Sequence, residues 1–167
     1  LIRMGKGDEE RYRAFCEAQG LTLREKDVQR LRDGSAFWYL SLEDGTAVAT
    51  GWVAWKHPFY IGETDYGFSM EKSETAIFYD FRTMPEHRRK GYYVLLLRSI
   101  AARTEAKVFL AYTSAVNVAS QKGITRAGFR FDGTLTPRDG SIRRYLRKHR
   151  FTGIYRKQQL MGLRSRK

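Results

Sequence analysis

Between Thr75 and Ile100 the chain reads Thr-Ala-Ile-Phe-Tyr-Asp-Phe-Arg-Thr-Met-Pro-Glu-His-Arg-Arg-Lys-Gly-Tyr-Tyr-Val-Leu-Leu-Leu-Arg-Ser-Ile. An aromatic and β-branched run, Thr75 to Thr83, predicts a strand that ends at Met84-Pro85. A turn carrying Arg88, Arg89 and Lys90 follows, and an apolar-periodic helix begins at Gly91 or Tyr92. A strand that feeds a basic, glycine-containing turn into a helix N-terminus is suited to hold a phosphate. The first-turn N–H groups have no partner within the helix, and the helix dipole favours negative charge there. Gly91 has no Cβ, so backbone and ligand can approach closely.

A second segment lies downstream. Val108 to Thr113 reads as a buried strand, and Asn117-Val-Ala-Ser-Gln-Lys-Gly-Ile-Thr-Arg-Ala-Gly-Phe129 follows it. Asn117 is the only Asn of the chain and stands where a helix cap is needed. Gly128 suits the left-handed position that closes a helix.

Arg88-Arg89-Lys90-Gly91-Tyr92-Tyr93 resembles the acyl-CoA pyrophosphate loop of the GNAT superfamily of N-acyltransferases. That pattern is Arg or Gln, two residues, Gly, one residue, then Gly or Ala. Arg88 and Gly91 match it, and Met84-Pro85-Glu86-His87 is similar to the stretch that precedes the loop; Tyr93 stands where a small residue is expected. The Asn117 segment resembles a second family motif: an Asn at a helix start, a small residue (Ser120) three further on, and Gly-Phe past the helix end. The resemblance is strongest over residues 75–131. It implies an acyltransferase that moves an acetyl or other acyl group from acyl-CoA to an amine. By the resemblance, Arg82, Thr83 and Met84 would bond the pantetheine arm, Arg88, Arg89, Lys90, Gly91, Tyr92 and Tyr93 would hold the diphosphate, and Asn117 with Ser120 would line the arm.

Acyl transfer from a thioester needs an amine that loses a proton, a polarised carbonyl and a leaving thiolate that gains a proton. Asp80 lies on the strand just before the acyl site, where its carboxylate could take the amine proton; Glu63 and Asp65 could reach the same cleft. Seven residues after the Asn the family often has a Tyr acting as acid, and here that position is Ile124. Tyr112, Tyr93 or water would then supply the proton, or the chain is a binding-only descendant.

Other chemistries find less support. His57, His87 and His149 lack metal-ligand spacing, no metal site is expected, and no serine has a Gly-x-Ser-x-Gly context. Gly5-Lys-Gly7 has no third glycine and no preceding strand, and no phosphate loop with Gly-Lys-Ser/Thr occurs.

The surrounding pattern gives the frame. Helices are expected over Asp8 to Ala18, Leu23 to Leu31, Gly91 to Arg103 and Val118 to Ala127. Strands are expected over Ala36 to Leu42, Thr46 to Trp55, Phe59 to Glu63, Thr75 to Thr83, Val108 to Thr113, Arg130 to Thr136 and Arg150 to Arg156; Tyr66 to Met70 reads as loop or strand. This order predicts an α/β three-layer fold. The resemblance to the GNAT superfamily implies a mixed, largely antiparallel sheet with a central splayed parallel pair and helices on both faces. Strand alternation puts Ala76, Phe78, Asp80 and Arg82 on one face and Ile77, Tyr79, Phe81 and Thr83 on the other.

At 167 residues, 42% hydrophobic and 14% aromatic, the chain is expected to form one packed domain, residues 1–167. The lone cysteine, Cys16, forbids an intramolecular disulfide and fits a reducing, cytoplasmic setting; no apolar run approaches the roughly 20 residues of a membrane span. The chain begins at Leu1, which leaves room for more sequence upstream. The net charge is +13, and residues 138–167 carry eleven basic residues against Asp139 alone. That segment would attract nucleic acid or another anionic partner, and it tilts the expected acceptor toward something anionic. It also supports the alternative of an inactive GNAT-fold module that binds nucleic acid or a protein partner.

Overall fold

A computed structural model describes residues 1–61, 66–69, 74–135 and 152–158. Strand β1 (Ile2–Met4) precedes helices α1 (Glu9–Ala18) and α2 (Glu25–Arg32). Strands β2 (Ala36–Ser41), β3 (Ala47–Ala54), β4 (Phe59–Ile61), β5 (Tyr66–Phe68) and β6 (Thr75–Thr83) follow. A 3₁₀ turn (Pro85–His87) leads to α3 (Tyr92–Arg103), then β7 (Val108–Ser114), α4 (Val118–Arg126), β8 (Arg130–Leu135) and β9 (Thr152–Gln158).

Seven strands form one sheet in the order β1-β2-β3-β6-β7-β9-β8, and β4 pairs with β5 alone. Every pair in the large sheet is antiparallel except β6 with β7. Each face carries its own core. On one, Leu96, Leu97 and Ile100 of α3 and Ile124 of α4 pack with Phe78 and Phe109. On the other, Tyr12, Phe15 and Cys16 of α1 and Val28 and Leu31 of α2 pack with Phe37, Trp52, Ile77 and Tyr79. Two apolar faces, each covered by a helix pair, make the three layers that the element order predicts. Strand β3 is buried along its whole length, as a central strand covered on both faces must be. Among the described residues no helix is long and apolar enough to cross a membrane.

Three details depart from the sequence reading. Ile2–Met4 forms an edge strand on β2, too short to show a period of its own. Strand β9 lies between β7 and β8, an order that local pattern does not encode. The strict alternation along β6 fails at Asp80 and Phe81. Tyr79 faces Trp52 and Arg82 faces Thr50, so two residues of β6 oppose Gly51 alone, which is a β-bulge. Asp80 takes a positive φ of 51° there. The extra residue turns Phe81 to the α3 face, where it stacks on Phe78 at 5.4 Å and meets Tyr93 edge-on at 6.3 Å. A Cβ on Gly51 would stand 2.5 Å from the Phe81 ring, so only glycine fits beneath it.

Candidate active site

Strands β6 and β7 pair in parallel from Thr75↔Val108 to Phe78↔Ala111, and their ladder ends there. Both run on, to Thr83 and Ser114, and between them opens a cavity of about 230 Å³. Asp80, Phe81, Tyr112, Thr113, Asn117 and Ile124 are among the residues that line it.

The turn after β6 opens a second groove, of about 500 Å³, between the N-termini of α3 and α4. Arg89 and Gly91 adopt left-handed φ of 64° and 83°. Gly91 caps α3 with no side-chain hydrogen bond. His87 N–H donates to Met84, Arg88 N–H to Pro85 and Leu95 N–H to Gly91; among the described residues the amides of Arg89 to Val94 have no partner. Unpaired amides, the positive end of a 12-residue helix and the side chains of Arg88 and Arg89 together favour a dianionic group.

The residues expected to hold the arm and the diphosphate fall mainly on this groove. Arg82, Thr83, Arg88, Arg89, Gly91, Tyr92, Tyr93, Asn117 and Ser120 all line it, while exposed Lys90 does not. Met84 is buried; its N–H donates to Val48 and its carbonyl accepts from His87, so its backbone is already engaged. The Met84–Val48 bond fixes the alternation along this ladder. Arg82 therefore turns its backbone to β3, and Thr83 turns its own to the open edge.

The far wall explains the unusual Tyr93. Asn117 caps α4, its side chain accepting from Ser120 N–H at 3.1 Å. The Ser120 hydroxyl is 2.9 Å from the Tyr93 hydroxyl. One edge of the Tyr93 ring presses against Gly123, where an added Cβ would come within 2.6 Å of it. Burial raises the Tyr93 pKa, and the Ser120 contact opposes the rise. A bulky residue at position 93 is thus matched by a missing one at 123. A glycine inside a helical pattern was the only sequence signal of that match.

Asp80 occupies the bulge with 46% of its side chain exposed. Its Oδ2 pairs with the Arg30 guanidinium at 2.7 Å, and Oδ1 has no partner among the described residues. Arg30 also pairs with buried Asp27 at 2.8 Å and lies over the rings of Trp52 and Tyr79. Burial works against the Arg30 charge, but Asp80, Tyr79 and Asp27 outweigh it and raise its pKa. Arg24 completes the group with a 2.7 Å contact to Asp27. Sequence pattern missed Arg30, since nothing in α2 marks which cation turns toward the sheet.

Tyr112 lines the cleft and stands 6.2 Å from the Phe59 ring. Ile124 is 1% exposed within the α3-face core, so position 124 supplies packing and no acid. Glu63 and Asp65 lie outside the described residues, as does the basic segment 138–167 apart from 152–158. Among the described residues no group of three or more His, Cys, Asp or Glu could hold a metal.

A polar chain runs away from the cleft. The Tyr79 hydroxyl donates to Ser35 Oγ at 2.8 Å, and Ser35 is 3.1 Å from His57 Nε2. His57 Nδ1 is 2.8 Å from the Pro58 carbonyl, so Nδ1 carries the proton and Nε2 accepts from Ser35. Burial pushes the Tyr79 phenol up to about 12. With Lys26, Asp33, Asp80 and Tyr112 these groups line a cavity of about 650 Å³ on the α2 face.

No protein-family model matches the chain, and no curated protein matches it in sequence. Its three-dimensional structure does have close likenesses. An acetyltransferase assigned to the GNAT family from Desulfovibrio desulfuricans superposes with a TM-score of 0.59 at 19% identity, covering 94% of this chain and 96% of its own. An acetyltransferase from Bacillus subtilis solved in complex with CoA gives 0.58 at 12% identity, over 95% and 97%. A ribosomal-protein-alanine N-acetyltransferase from Brucella melitensis gives 0.57 at 17% identity, over 95% and 100%. The likeness runs over almost the full length of each, so this chain, with its seven-stranded mixed sheet and one parting parallel pair, has the fold of these GNAT-type acetyltransferases.

Proposed function

We propose that this chain is an N-acyltransferase that moves an acyl group, acetyl in the simplest case, from acyl-CoA to an amine. One observation carries the reading: the parallel strands part after Phe78 and Ala111 beside a helix whose first amides are unpartnered. The site suits such a donor. The outward edge of Thr83 offers backbone groups to a pantetheine amide, and the turn from Arg88 to Tyr93 offers amides and two guanidiniums to a diphosphate. The Bacillus subtilis neighbour that binds CoA supports the same assignment.

When bound, the thioester supplies an activated acyl carbon. Asp80 takes a proton from the amine through Oδ1, directly or by way of water. Nitrogen then bonds to the acyl carbon, the carbon–sulfur bond breaks, and the thiolate leaves with a proton given by Tyr112. We assign this activity to a single domain spanning 1–167, acting in the cytoplasm, with the basic segment 138–167 as its anionic-partner surface.

The test combines binding with turnover. Acetyl-CoA at 100 times its Kd is expected to stabilise the protein by about 2.7 kcal/mol. Adding amines is expected to release free thiol. Neither stabilisation nor thiol release would overturn the reading. Stabilisation without release, across a panel of amines, favours the second reading of a binding-only module, for which the buried Ile124 is the observation.

A further inference from the structure

Two cavities flank Asp80 on the α2 face. The one of about 650 Å³ balances Asp80 and Asp33 against Lys26 and Arg30, among the aromatic side chains of Phe59, Tyr60, Tyr79 and Tyr112. The other, of about 310 Å³, has Arg24, Lys26 and Arg82 around a floor of Phe37 and Trp52, with Asp80 its one carboxylate. Asp80 and Lys26 line both.

Pairing within the network leaves two cations over. Asp27 and Asp80 are matched by Arg24 and Arg30 through contacts of 2.7–2.8 Å. Nearby Glu25 is shared by Arg13 and Arg32 at 3.3 Å. Lys26 and Arg82 have no carboxylate partner among the described residues. Arg82 is nevertheless held: its Nε donates to Thr50 Oγ1 at 3.3 Å, so its terminal amino groups are presented from a fixed stem. A fixed guanidinium fork beside a lysine is the geometry that recognises a carboxylate or a phosphate.

Resting on the acyltransferase reading above, we propose that the acceptor is a small amine that also carries an anionic group. Its amine enters the aromatic, charge-balanced cavity beside Asp80. Its carboxylate or phosphate enters the basic cavity and meets Lys26 and Arg82. A polycationic amine is disfavoured, because no described carboxylate balances those two cations.

The experiment compares matched acceptors at fixed acetyl-CoA: glycine with glycinamide, O-phosphoethanolamine with ethanolamine, and spermidine as the cationic extreme. The anionic member of at least one pair is expected to have kcat/KM at least about tenfold higher, and which pair responds tells carboxylate from phosphate. Lys26→Ala is expected to shrink that ratio several-fold, and Lys26→Glu to shift preference toward spermidine. Calorimetric titration of the preferred anionic amine into Lys26→Ala and Arg82→Gln is expected to show weakened binding, a readout independent of turnover. Equal rates within both pairs, or a ratio unmoved by Lys26→Glu, would overturn the inference while leaving the transferase intact. No turnover of any amine, with no binding of acetyl-CoA, would instead sink the reading beneath it.

Discussion

The two faces of the cleft are built from different material. On the α3 face the groove is made of backbone: amides at a helix start, a left-handed glycine and a capped second helix. On the α2 face it is made of side chains, with Arg30 joining Asp27, Trp52 and the neighbours Tyr79 and Asp80 from three elements of the chain. Backbone recognition tolerates side-chain change provided the turn keeps its shape. A side-chain network does not, because removing one member strips a buried charge of part of its pairing.

Breaking the network is expected to have the largest effect. Arg30→Ala leaves Asp27, whose side chain is only 2% exposed, with Arg24 as its one cation. A loss of about 2–3 kcal/mol in urea unfolding is expected. Loss below about 1 kcal/mol would show that the α2 face is no more interdependent than the other. Asp80→Asn keeps the shape of the bulge and removes the proposed base. A fall in kcat of about 100-fold or more is expected, with acetyl-CoA affinity unchanged, which separates the two faces functionally.

Gly123→Ala probes the backbone face. An exposed helical Gly→Ala change gains about 1 kcal/mol. Here the new methyl meets the Tyr93 ring, and a loss of roughly 1–3 kcal/mol is expected instead. Adding Tyr93→Ala should restore most of that loss, and additive effects would deny the coupling.

Tyr79→Phe is expected to be mildest, costing about 1 kcal/mol near neutral pH by removing the bond to Ser35. Its pH dependence is more telling. The phenol titrates at 10.0 when unfolded and near 12 in the fold, so its contribution is complete below pH 10 and disappears as pH rises to 12. The variant should show a shallower alkaline loss than the parent, and identical slopes would remove Tyr79 from the account.

The same contrast governs what was legible in the sequence. Pro85, Gly91 and Asn117 act on the backbone within a few residues, so strand, turn and cap could be read locally. The bulge needed Gly51 and Phe81 together, 30 positions apart, and a glycine inside a strand pattern hints only that something comes near. Tyr93 looked like a departure because its answer, Gly123, is on another helix. Alternation grouped Asp80 and Arg82 with Ala76 and Phe78 because it cannot see an unpaired residue in the ladder; the bulge carries both to the α2 face. Met84 was assigned to the arm by its neighbourhood, whereas its N–H belongs to Val48.

The position of β9 has a consequence for biosynthesis. Threaded between β7 and β8, it is the last described strand to be made and the one that joins them. A nascent chain that has delivered everything through Leu135 still carries β7 with a bare outer edge and β8 with no neighbour. Ribosome-held intermediates should therefore stay open to chaperones until Gln158 clears the exit tunnel, and the sheet should close in one late step.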